Sequence, residues 1–377
     1  MVTAQSGGET VGILSPRALN RALLARQMLL RREKLSALEA LERLVGLQAQ
    51  APNAPYFALW TRLEQFHQEE LSRLIQERKA VRLAMMRSTI HLVSSRDSLQ
   101  IRPWVQPVLE RSLMGTYRKQ LARLDGKAIA DAGRALVEEK PHTFSQLGKR
   151  LSERYPDRDP SALSAAVRAL VPLIQLPPRG LWGESGQAAH TSGEAWLGQP
   201  LVSHPPEDDI ILRYLAAYGP ATIKDIQVWS GHTRLQETME RIRPQLVTFR
   251  DEQGDELFDL PDAPRPDPDT PAQPRFLGEF DNILLSYANR TRIIDDAYRK
   301  RVITANGIVH SVIIIDGFVA GTWKIGRGKD TATLHIEPFQ QISKQERKAL
   351  LDEGARLLQF AAADARTHDI SFVSPEE

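Results

Sequence analysis

PHTFSQLGKRLSERYPDRDPSALSAAVRALVPLIQLPPRGLWGESGQAAHTSGEAWL, residues 141–197, is the stretch that decides the fold. Thr143-Phe144-Ser145-Gln146-Leu147 is a side-chain cap followed by an apolar face, and it opens a helix that ends near Tyr155-Pro156. Pro160-Ser161-Ala162-Leu163 starts another helix, running to about Leu170. Leu173 to Leu197 then reads as strand, Pro/Gly tip and strand. The stretch Gly126–Lys140 just before is helical by its apolar spacing. A helix, a capped helix, a third helix and a hairpin, in that order, make a winged helix-turn-helix unit.

The same order recurs on both sides. Downstream, Glu207–Tyr218, a Thr222-capped helix ending at Gly231, and His232–Ile242 precede a hairpin around Gln253-Gly254. Upstream the unit is expanded. Ser15-Pro16 opens one helix and Ser36 a second, with short helices over Tyr56–Leu63 and Glu69–Arg78. VRLAMMRSTIHLVSS, residues 81–95, follows as strand, turn and strand. The reading is mainly α with α+β: three tandem winged units over 15–122, 123–204 and 205–262, a Pro-rich linker over 263–275, and a small β-rich C-terminal domain with a closing helix over 276–377. In that last part ILLSYA, RVIT, IVHSVIIIDGFVAGTWKI and TATLHIEPF read as strands, Asp316-Gly317 as a hairpin turn, and Ser343–Ala363 as an amphipathic helix. Residues 1–14 read as a disordered tail.

Composition narrows the chemistry. There are no cysteines, which excludes disulfides, thiolate metal sites and thiol nucleophiles. The nine histidines are scattered with no HExxH spacing, so no metal is expected. No apolar run is long enough to span a membrane, and the N-terminus lacks a secretion pattern, so the cytoplasm, at the nucleoid, is the expected location. The net charge of +2 hides an asymmetry. Residues 1–180 hold 28 Lys/Arg against 17 Asp/Glu, whereas residues 181–377 hold 21 against 30. Arginine outnumbers lysine 37 to 12, and its planar fork suits phosphate.

Leu47-Gln48-Ala49-Gln50 sits where the upstream unit is expanded. It reads as a loop at the end of a helix, before Pro52 and Pro55, on the face such units turn to DNA; a benign surface insertion is the alternative. Arg87, Thr89 and His91 lie at the first hairpin turn, where Arg87 is a phosphate contact and His91 is either a DNA contact or a satisfied, partly buried histidine. Arg179 and Trp182 lie at the second tip, Trp182 being either a stacking wedge or core packing. Asp281–Arg292 mixes polar and apolar residues, as a buried network or a DNA-facing surface would. Gly326-Arg327-Gly328-Lys329 lacks the first glycine of a phosphate loop and precedes a strand, so no nucleotide cofactor is expected.

LQAQAPNAPYFALWTRL, RSTIHLV, PPRGLWG, FDNILLSYANRTRII and DGFVAGTWKI, in this order over about residues 15–340, resemble the AlkZ and YcaQ-like winged-helix family. The resemblance implies a DNA glycosylase that removes N7-alkylated guanine and unhooks interstrand crosslinks. Three winged helices and a β-domain would form a concave surface for duplex DNA. It implies Gln48 and Gln50 as the catalytic pair, with Asn53, Tyr56, Arg87, Thr89, His91, Arg179, Trp182, Arg290 and Arg292 as DNA contacts. A monomer without cofactor is expected. An N7-alkylguanine is already cationic and leaves readily, so a neutral carboxamide that orients water suffices where a general base is usual. The competing readings are a non-catalytic DNA-binding regulator and a structural adaptor whose β-domain binds protein.

Overall fold

The computed structural model describes residues 10–373. Its helices begin where the side chains supply caps. Ser36, Thr143, Thr222 and Ser343 each accept a hydrogen bond from the residue three along, and Glu39, Gln146, Asp225 and Glu346 return it to the cap backbone. Helices Gly126–Glu139, Phe144–Arg154 and Pro160–Leu170 pack as a trio. Gly133 is their point of closest approach, since a Cβ there would lie 2.3 Å from Val167 Cγ2.

Three sheets hold the chain together. A five-stranded antiparallel sheet runs in the order Leu47–Gln48, Ile90–Ser94, Ala80–Ala84, Leu173–Gln175, His190–Ser192. The hairpins of the first two blocks therefore share one sheet, joined where Arg82 faces Gln175 and Leu83 faces Ile174. A second sheet pairs Val247–Asp251 with Glu256–Asp259 and adds Thr10–Leu14 in parallel. The third has the order Thr367–Phe372, Thr331–Pro338, Phe318–Arg327, Val312–Ile315, Arg275–Leu277. Helix Lys344–Ala361 crosses between its two parallel strands and packs on them. Asp316 and Gly317 both have positive φ, as the expected hairpin turn requires. One apolar core runs from Leu23 through the helical blocks to Phe339, and a second joins the Ala54–Trp60 helix to the C-terminal sheet.

Several expectations are corrected. Of the expected tail, residues 1–9 lie outside the described residues, and Thr10–Leu14 is a strand that covers an otherwise open edge. ILLSYA is no strand: Asn282–Leu284 is a 3-10 turn, held by Asp281 accepting from Ile283 N and by Ser286 Oγ donating to the Asn282 carbonyl. RVIT closes the Asp296–Val302 helix, which Asp295 caps. Helices Ser95–Trp104 and Gln106–Tyr117 and the strand Thr367–Phe372 add to the elements read from sequence.

Candidate active site

The Gln48-Ala49-Gln50 segment is an edge strand and its continuation rather than a free loop. Helix Ala37–Arg43 ends at Leu44, and Val45 and Gly46 take positive φ to turn the chain onto the Ile90–Ser94 strand. Only glycine fits at 46, because a Cβ would lie 2.5 Å from Val93 Cγ1. Leu47 then faces Leu92, Gln48 faces His91, and Ala49 N donates to the Ile90 carbonyl at 2.8 Å. Strand alternation puts Gln48 and Gln50 on one face and Ala49, fully buried, on the other.

The two glutamines differ. Gln48 is 6% exposed, with its backbone N–H donating to Asn282 Oδ1 at 3.1 Å and its Oε1 accepting from Arg87 Nη2 at 2.7 Å. Gln50 is exposed and holds one long bond, from Ile90 N to its Oε1 at 3.3 Å. It lines a cavity of about 670 Å³ together with Ile90, Tyr117, Phe144, Arg168 and Gln175. That volume suits a drug-sized group, more than a bare nucleobase needs.

Arg87 lies at the hairpin tip Met86–Ser88, where Arg87 and Ser88 both take positive φ. Two non-glycine residues in that region in succession are strained, and such strain gathers at functional positions. The tip turns Arg87 back over Gln48, and its Nη1 donates to the Trp229 carbonyl at 2.5 Å. His91 Nδ1 lies 3.2 Å from the Thr89 carbonyl, so that nitrogen carries the proton and Nε2 turns its lone pair to Arg87 Nη2 at 3.5 Å. Burial, then the neighbouring Arg87, pushes the His91 pKa down to about 3, so the ring is neutral.

On the other side Arg82 Nη2 donates to the Ala49 carbonyl at 2.7 Å and Nε to Gln175 Oε1 at 3.3 Å. Arg168 Nη2 donates to the Ser88 carbonyl at 2.7 Å. Among the described residues no carboxylate oxygen comes within 4.0 Å of the Arg82, Arg87 or Arg168 guanidinium. Burial lowers the pKa of all three, of Arg82 and Arg87 to about 10, so all remain cationic at neutral pH. Arg118 and Lys119 follow Tyr117 in the chain and Lys149 follows Gly148; these three and Arg123 are exposed, and among the described residues none lies within 4.0 Å of a carboxylate.

Of the residues expected from sequence, the structure brings together Gln48, Gln50, Arg87, Thr89 and His91. Arg290 is half-buried, donates to the Tyr287 carbonyl at 3.3 Å and adds to the positive field at Arg87. Four of the expected DNA contacts lie packed among interior groups in this structure. Tyr56 is fully buried with its hydroxyl donating to the Gly180 carbonyl at 2.8 Å. Arg292 is 5% exposed, donates to the Pro220 carbonyl at 2.7 Å and lies 3.8 Å from Asp225. His91 takes the buried alternative at 1% exposure. Trp182 takes the packing alternative, with its ring 5.1 Å from Tyr56 and 5.5 Å from Phe360. Arg179 donates to Gly186 within its own tip at 2.9 Å. Thr89 Oγ1 donates to the Met86 carbonyl, and half-buried Asn53 has a buried Oδ1 without a partner.

Arg82, Arg168, Gln175 and Asn282 were not read as site residues. The signal for Arg82 was a cation within the apolar run AVRLA; Asn282 lay in the stretch left open between a network and a surface, and it is a network. Its Nδ2 donates to the Gly46 carbonyl at 2.7 Å and to the Tyr218 hydroxyl at 2.8 Å.

Two carboxamides, a neutral histidine and cations without carboxylates make a site for a polyanion, with no acid–base pair of carboxylates. The family model "DNA glycosylase AlkZ-like" matches residues 41–360, and the chain belongs to that family. It is therefore an enzyme that hydrolyses N-glycosyl bonds in DNA. It is 26% identical over 364 residues to an interstrand DNA cross-link repair glycosylase of Streptomyces sahachiroi, covering 89% of this chain and 93% of that protein. The solved structure of the Streptomyces sahachiroi DNA glycosylase AlkZ superposes with a TM-score of 0.78 at 20% identity, over 96% of this chain and 100% of that one. No helix is long and apolar enough to cross a membrane, and among the described residues no group of three or more His, Asp or Glu is placed to hold a metal.

Proposed function

We propose that this enzyme hydrolyses the N-glycosidic bond of N7-alkylated guanine in duplex DNA, bulky adducts and interstrand crosslinks included. Gln48 and Gln50 place the attacking water. The observation that carries this reading is the pair itself: two carboxamides on one strand face, one fixed and one at the wall of a wide cavity, with no carboxylate among the described residues bonded to either or lining that cavity. Crosslink repair by the Streptomyces relative supports the extension to bulky lesions.

The chemistry follows from charge. Alkylation at N7 makes the base cationic, so the C1′–N9 bond breaks without protonation of the base. The sugar left behind is oxocarbenium-like and needs a placed water rather than hydroxide. Carboxamides hold water without the desolvation cost of a buried carboxylate. After attack the oxygen passes its extra proton to solvent. The three helical blocks serve as winged helices that lay the duplex along the basic rim of Arg118, Lys119, Arg123 and Lys149. The enzyme works as a monomer and needs no cofactor.

The test is incubation of the protein with duplexes carrying either one N7-methylguanine or one N7–N7 interstrand crosslink. The expected result is free modified base in solution and alkali-labile sites in the strands. Binding that leaves both duplexes chemically intact would return the protein to the regulator reading.

A further inference from the structure

We propose that Arg87 is a positioning residue for this reaction: it locks the Gln48 carboxamide with its oxygen inward, so that Gln48 meets the water as a hydrogen-bond donor. The role rests on the reading of Gln48 given above. It differs from the phosphate contact that the position of Arg87 at a hairpin tip suggests.

A guanidinium only donates, so the atom facing Arg87 Nη2 at 2.7 Å is the oxygen of Gln48. The amide nitrogen is then fixed on the opposite side. Among the described residues Gln48 Nε2 has no partner, and it is not sealed from solvent although the residue is only 6% exposed. Arg87 is itself held at a second point, the Trp229 carbonyl, and by the positive φ of its tip. With no carboxylate to compete, its charge falls on the Gln48 oxygen, which polarises the amide and strengthens its N–H groups as donors. The Gln48 backbone is pinned as well, through Asn282 Oδ1 and through Arg82 on the Ala49 carbonyl.

This divides the labour of the two glutamines. Gln48 donates to one lone pair of the water and leaves the other to attack C1′. Gln50, exposed and on a 3.3 Å bond, is free to turn its oxygen onto a water hydrogen. A carboxylate at position 48 would pair with Arg87 and present no donor, although it is the stronger base.

The test is a double-substitution cycle read by single-turnover release of N7-methylguanine, with duplex affinity measured separately. Arg87→Met is expected to slow release about ten- to a hundredfold while Kd changes less than about threefold. In a Gln48→Ala background the same change is expected to cost less than about threefold, because its effect runs through Gln48. Arg87→Lys, which cannot bridge both acceptors, is expected to fall between and provides the cycle if the Met variant folds poorly. Gln48→Glu is expected to lose activity like Gln48→Ala. Additive losses, a change in Kd and its salt dependence alone, or an active Gln48→Glu would overturn the role of Arg87 while leaving Gln48 in the reaction. An unchanged rate for Gln48→Ala would instead remove the water-holding reading, and this role with it.

Discussion

Two kinds of arginine lie buried or half-buried in the molecule. Arg26 with Asp259, Arg62 with Asp281 and Arg213 with Asp97 form ion pairs at 2.6–2.8 Å, and each ties the helical blocks to one another or to the C-terminal part. Arg82, Arg87 and Arg168 gather around Gln48 and Gln50 and rest on carbonyls, amides and, for Arg87, the neutral His91 ring. Burying a cation without a counter-ion is costly and does nothing for the fold that an apolar side chain would not do better. The first group locks the architecture. The second keeps a positive field around the two carboxamides, at the expense of stability. Both groups add to the excess of cations in residues 1–180, since Arg26 and Arg62 find their aspartates beyond residue 180.

If the distinction is right, removing a partner from the first group has the largest effect. Asp281→Ala leaves the Arg62 charge buried and alone, and stability by urea unfolding is expected to fall by about 3–5 kcal/mol. Arg87→Met is expected to cost less than about 2 kcal/mol in the same assay, since it removes a charge that nothing neutralises. The reverse ranking would break the comparison. Next comes the glycine against which Arg82 lies. Gly180 has φ +93°, and a Cβ there would sit 2.4 Å from Arg82 Cδ. Gly180→Ala is expected to cost about 2–4 kcal/mol and to lower the rate of base release, because Arg82 must shift away from the Ala49 carbonyl.

A pH scan tests the two buried neutral histidines. The folded protein keeps His91 neutral down to about 3 and His190 down to about 4, both through burial, whereas the unfolded chain protonates each near 6.5. The unfolded state therefore binds more protons between those values, and stability falls as pH drops below 6.5. From pH 6.5 to 5 each is expected to contribute a loss of about 2 kcal/mol. His190→Phe should flatten half of that dependence in thermal melts across the same range. The smallest effect belongs to the exposed rim: Arg118→Ala or Arg123→Ala is expected to lower the salt slope of duplex binding by about one, with the single-turnover rate unchanged.

Much of the architecture was legible because it is written in caps and turns. Ser15, Ser36, Thr143, Thr222 and Ser343 mark helix starts through their own hydrogen bonds, and Asp316-Gly317 marks a hairpin through its φ angles. Helices Ser95–Trp104 and Gln106–Tyr117, absent from the sequence reading, carry Pro103 and Pro107. Pro107 falls in the first turn of the second helix, where its missing N–H is needed by no bond, whereas Pro103 removes one bond from the last turn of the first, and the Leu99 carbonyl it leaves open accepts from Val202 N at 3.2 Å. Leu47–Gln48 was hidden because a strand of two residues has no period to read. The pair Gln48 and Gln50 stands out in the sequence through the family resemblance, residue type alone being a weak signal. Its surroundings do not, since Arg82 comes from a neighbouring strand of the same sheet, Arg168 from the helix Pro160–Leu170 and Asn282 from a turn 234 residues away from Gln48, and only the folded chain brings them together.

The central claim is that an uncharged amide at position 48 holds the water that frees a cationic base. Its most direct test is single-turnover release of N7-methylguanine from a duplex by the native protein and by Gln48→Ala. The account predicts a fall of about a hundredfold with folding and DNA affinity retained. Release by Gln48→Ala at the native rate would contradict it.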